Sequence, residues 1–142
     1  MDPKEHDHKI QNFLINMGLA SSPEFVYSPN AENFRHLIVE YLGVKAVVIL
    51  DRQWIMIVVY FAYAPKTNVA PFFRRLLVLN SILFSASFAI NDQTSQIQIM
   101  TSRHLDGLEP VEFRQMLEAA CRAYLDYGIK LVQEFQLPQQ PG

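Results

Sequence analysis

The chain has 142 residues, 50% hydrophobic and 18% charged, with a formal net charge of −2. That is one globular domain, able to bury about 70% of its unfolded surface, and it has no basic excess to neutralise phosphates, which argues against general nucleic-acid binding. Its single cysteine excludes an internal disulfide framework and suits a reducing cytoplasm. The polar start, Met1 to Lys9, lacks the basic-then-apolar build of a signal peptide. The longest apolar run, Trp54 to Ala64, is too short to cross a bilayer as a helix. These features imply a cytoplasmic protein without a membrane partner.

Residues 1–4 read as a loose tail. From about Glu5 a helical period appears in Ile10, Phe13, Leu14 and Met17, and Gly18 follows as a stop. Residues 19–30, with Ser21, Ser22, Pro23, Ser28, Pro29 and Asn30, read as a loop with a short extended piece at Phe25 to Tyr27. Residues 31–43 fit two patterns. Phe34, Leu37, Ile38, Tyr41 and Leu42 make a helical stripe, slightly favoured by periodicity, yet the same stretch is rich in β-branched and aromatic residues and ends at Gly43. Val44 to Leu50 and Trp54 to Ala62 read as strands joined by the hairpin-length connection Asp51-Arg52-Gln53. The second strand is apolar on both faces, with Trp54, Met56, Val58 and Tyr60 on one and Ile55, Ile57, Val59 and Phe61 on the other. Such a strand needs cover on both sides, from this chain or from another subunit.

After a loop at Pro65 to Asn68, a helix is expected over 71–83, with Pro71 in its first turn, where the missing N–H costs nothing. Phe72, Leu76, Leu79 and Leu83 form one face, flanked by Phe73 and Leu77, and Val78 and Ile82 form a second apolar strip. A hairpin follows: Phe84, Ala86, Phe88 and Ile90 alternate with small or polar residues, Asn91 to Thr94 supply turn chemistry, and Ile97 and Ile99 alternate with glutamines. Thr101 to Leu108 reads as a loop. Pro110 opens a last helix to about Phe135, in which Gly128 signals a kink or a close packing point. Residues 137–142 read as a disordered tail.

The segment Phe72 to Leu131 resembles the YbjN-like family, also labelled bacterial sensory transduction regulators, whose fold is similar to that of type III secretion chaperones. The resemblance rests on Leu76-Leu77-Val78-Leu79-Asn80, on the strand Phe84 to Ile90 and the strand after it, and on Leu105-Asp106-Gly107-Leu108-Glu109-Pro110 with Glu112-Phe113 before the last helix. It departs from the family at Glu109, where Thr or Ser is usual. The resemblance implies an α+β fold, a single antiparallel sheet of about five strands with helices on one face in the order α-β-β-β-α-β-β-α. It also implies a habit of binding proteins, and it favours a strand for residues 31–42.

No residue pattern points to catalysis, a metal or a cofactor. His6-Asp7-His8 lacks a metal-site spacing and is explained by a flexible polar terminus. His36 and His104 are isolated and read as surface or loop residues, and Cys121 reads as a buried, inert thiol. Arg74-Arg75 reads as a solvated helix flank. The expectation is therefore a non-enzymatic, protein-binding homodimer of a single domain. Its contact surface is drawn from Trp54, Met56, Val58, Tyr60, Phe73, Leu77, Val78 and Ile82. A regulatory or sensory accessory protein is the alternative, and a small enzyme of unnamed reaction is less favoured.

Overall fold

The computed structural model describes residues 3–141. Helix α1 (Pro3–Asn16) leads to a two-residue strand, β1 (Val26–Tyr27), and then to three consecutive hairpin strands, β2 (Phe34–Tyr41), β3 (Val44–Asp51) and β4 (Trp54–Tyr63). Helix α2 (Val69–Asn80) crosses to the far edge of the sheet and is followed by β5 (Ser87–Ile90) and β6 (Gln96–His104). Helix α3 (Pro110–Ala123) continues through a π-helical turn, Tyr124–Gly128, into α4 (Ile129–Phe135). The sheet is antiparallel throughout, in the spatial order β1-β2-β3-β4-β6-β5.

The α+β architecture matches the expectation, but the sheet has six strands, not five. The sixth is β1, which pairs Val26 with His36 and Tyr27 with Arg35 at the edge of β2. Residues 34–41 form a strand because every second side chain, Leu37 and Val39 among them, enters the core while Ile38 and Glu40 point out. A tight turn then reverses the chain at Leu42 and Gly43, both with positive φ (54° and 75°). Two left-handed residues in a row suit the twist of a β-hairpin, and glycine takes that conformation without steric cost.

Several expected boundaries move, among them those of the helix expected over 71–83, which spans Val69–Asn80. The strand proposed from Phe84 begins only at Ser87, because Ser85 turns left-handed (φ 65°) and leaves Phe84 in solvent. The loop proposed from Thr101 is strand as far as His104, since β6 pairs with the whole of β4 down to Trp54. Residues 137–141 do not trail away: Leu137 is buried, and the Tyr63 amide donates to the Pro138 carbonyl at 2.8 Å. At the other end Pro3 and Lys4 belong to α1; residues 1, 2 and 142 lie outside the described residues.

One hydrophobic core forms between the sheet and the helices. Ile10, Phe13 and Leu14 of α1, Phe72, Leu76 and Leu79 of α2, and Phe113, Leu117 and Ala120 of α3 meet Leu37, Val48, Ile57 and Ile99 of the sheet. Rings lock the helices together: Phe13 lies 5.6 Å from Phe113, and Phe72 meets Phe135 edge-on at 5.3 Å. Two hydrogen bonds from Arg75 to Glu134, at 2.7 and 2.9 Å, fasten α2 to α4. Arg75 is thus a tie between helices and not merely a solvated flank.

Candidate protein-binding surfaces

The residues proposed as a contact surface fall on two separate regions. The first is the sheet face turned away from the helices. Strand pairing aligns Trp54, Met56, Val58 and Tyr60 of β4 with Asp51, Ile49 and Val47 of β3 on one side and with His104, Ser102, Met100 and Gln98 of β6 on the other. None of these side chains belongs to the helix-covered core. Val58 and Ile49 are nonetheless buried, sheltered sideways by their neighbours, whereas Trp54, Tyr60 and Ile38 are exposed. A shallow hollow of about 290 Å³ lies among Phe34, His36, Ile38, Val47, Ile49 and Tyr60. At one end of the face the Trp54 ring lies tilted against His104 with centroids 4.1 Å apart. His36 and His104 are therefore both strand residues of this face. No described residue of the chain covers it: α1 packs in the core, and β1 follows the edge of β2.

The second region is the outer face of α2 and the turn after it. Leu77 is 71% exposed, Val78 51%, Ile82 52% and Phe84 89%. Helical periodicity dictates the split: Phe72, Leu76 and Leu79 turn inward, and Leu77 and Val78, between the last two, turn outward. Phe73 does not join this group. It is half-buried, packed against the core and 5.5 Å from the Phe72 ring. Phe84, read from sequence as the first residue of a strand, is instead the most exposed large apolar side chain among the described residues.

Among the described residues no group of three or more His, Cys, Asp or Glu is placed to hold a metal ion. Cys121 lies in the core, where burial pushes its thiol up to about 11, far from a reactive thiolate. The flexible terminus expected at His6-Asp7-His8 is helix. His6 and Asp7 are buried, and Asp7 accepts 2.7 Å from Nε of the fully buried Arg35 and a short hydrogen bond from the Tyr27 hydroxyl. The Arg35 guanidinium also donates to the Asn33 carbonyl at 2.7 Å and lies over the Tyr27 ring. This cluster neutralises a buried cation, as burial of charge requires, and it pins α1 and β1 to β2.

Neither a family model nor a curated protein matches the sequence. Solved structures do match. An uncharacterized protein from Methanothermobacter thermautotrophicus superposes with a TM-score of 0.67 at 16% identity, over 92% of this chain and 99% of that one. YbjN from E. coli gives 0.58 at 18% identity, over 94% of each chain. The Yersinia pestis type III secretion chaperone SycH, solved in complex with a stable fragment of a second protein, gives 0.54 at 12% identity, over 89% of this chain and 98% of its own. The chain shares the fold of YbjN and SycH. At such identities the likeness is one of architecture: a YbjN- and chaperone-like fold across nearly the full length, without assignment to one family. No helix among the described residues is long and apolar enough to cross a membrane.

Proposed function

We propose that this protein is a non-enzymatic binding module that pairs with a second copy of itself through the outer face of α2 and receives a protein partner on the open sheet face. The observation that carries the reading is the outward cluster Leu77, Val78, Ile82 and Phe84, apolar surface that no described part of the chain covers. Each large apolar side chain left in water forgoes about 1.5–3 kcal/mol. Closed twofold pairing is the commonest way for a chain to recover it. The sheet face adds an aromatic pair, Trp54 and Tyr60, of the kind that anchors protein interfaces. The fold shared with SycH, a chaperone solved with a bound protein fragment, supports the same reading.

Sedimentation equilibrium at micromolar concentration tests the pairing. We expect twice the 16.4 kDa chain mass, and a single chain mass across the range would refute the homodimer. Val78→Asp combined with Ile82→Asp is expected to dissociate the pair and leave the circular dichroism spectrum unchanged. Both side chains are exposed, Val78 on α2 and Ile82 in the turn after it, so loss of the fold would show that the substitutions disturb the core and not an interface.

A further inference from the structure

His6 has a position that neither binding surface explains. It is 2% exposed on the first turns of α1, and its Nδ1 atom is buried without a hydrogen-bond partner among the described residues. An imidazole buried in this way is tolerable while neutral and costly once charged. The charged groups around it reinforce the asymmetry. Arg35 from β2 and Lys9 from its own helix oppose a positive charge, while Asp106 from the turn after β6 favours one. The carboxylate beside it, Asp7, is already engaged by Arg35 and by the Tyr27 hydroxyl of β1.

We propose that His6 is a pH-sensitive latch on the N-terminal helix, holding α1 against β2 while neutral and releasing it when acidification places a second cation beside Arg35. Burial first, and Arg35 second, hold the His6 imidazole below its ordinary value of 6.5. The undocked helix, with an ordinary histidine, therefore binds the proton more readily than the docked one. Docking is strongest above pH 6.5 and weakens as the pH falls from there to the depressed value, below which it levels off. Within that window one proton raises the opening equilibrium by up to about tenfold per pH unit. Release would also loosen β1, because Tyr27 is held by Asp7 and the Pro23 carbonyl accepts from Gln11 of α1 at 2.9 Å.

Amide hydrogen exchange of the full chain, compared at about pH 7.5 and about pH 5.5 after correction for intrinsic rates, tests the latch. Amides of α1 are expected to open several-fold more at the lower pH relative to those of α3. His6→Gln should abolish the difference, and His8→Gln, at an exposed position on the same helix, should preserve it. Equal α1 protection at both pH values, or the same acid-induced loss in His6→Gln, would overturn the proposal. Should His6→Gln fail to fold, the wild-type imidazole titration read by NMR decides: a midpoint below 6.5 supports the latch, and one at or above 6.5 refutes it.

Discussion

Gly128 shows how a single residue can defy its helix propensity. It is buried at the end of the π-helical turn, and a Cβ added there would stand 2.8 Å from Cδ1 of Tyr124. That ring cannot swing away freely, since it packs edge-on against Phe61 at 5.6 Å. Alanine is better than glycine in a helix by about 1 kcal/mol. We nevertheless expect Gly128→Ala to destabilise the fold by about 1–3 kcal/mol, because overpacking outweighs propensity. Urea denaturation would show it, and the same substitution made in a Tyr124→Ala background should turn neutral or stabilising. The glycine itself was legible as a close packing point; the ring that crowds it was not, because Tyr124 is held in place by Phe61, a strand residue far away in the sequence. The Asp7–Arg35 pair was illegible for a different reason. Its members are 28 positions apart, and a polar terminus carries no local sign of burial. The one available signal was Arg35 standing in phase with the inward residues Leu37 and Val39 of an alternating strand.

At the scale of elements, the edge strand β5 carries a device against unwanted pairing. Asn80, the last residue of α2, accepts from the Phe88 N–H through Oδ1 at 2.7 Å and donates to the Phe88 carbonyl through Nδ2 at 3.1 Å. One side-chain amide thus stands in for a neighbouring strand and blocks an edge that would otherwise be open. Asn80→Ala is expected to cost about 1–2 kcal/mol, the worth of two hydrogen bonds at a partly buried site, measured as a lower urea midpoint. Faster exchange of the Phe88 amide should accompany it. If Asn80→Asp matched the wild type, the donation to Phe88 would carry no weight. The helix end and the asparagine were both visible in the leucine-rich motif, but their partner at residue 88 was not, since the strand starts three residues later than its alternation suggested.

At the scale of the whole molecule, the described helices pack their core residues against one face of the sheet. Ile57 points into the helices and is fully buried, whereas Ile38 and Tyr60 point into the open face. Ile57→Ala should therefore cost about 2–5 kcal/mol. Ile38→Thr and Tyr60→Thr should each change stability by about 0.5 kcal/mol or less, as read from thermal or urea unfolding of the single chain. Comparable losses on both faces would mean that a second layer covers the open one in solution. The same asymmetry sets where the molecule can offer binding surface without dismantling its core.

Much of this protein is written locally. Dense runs of β-formers too short for a helix select strands at 44–50 and 54–62, the spacing of Phe72, Leu76 and Leu79 selects a helix, and Pro110 with Glu112 marks the start of another, because these signals follow from backbone geometry and local sterics alone. The excess apolar surface was legible too, since one helix face and one sheet face suffice to fill a core. Sequence could not decide between helix and strand at 34–41, where one set of residues satisfies both periods; only pairing with β3 along the whole strand resolves it. It could not separate the outer face of α2 from the open sheet face, or turn His6, Asp7 and Leu137 inward. Those outcomes depend on which distant elements meet, and burial belongs to the packed tertiary structure, not to any window of the chain.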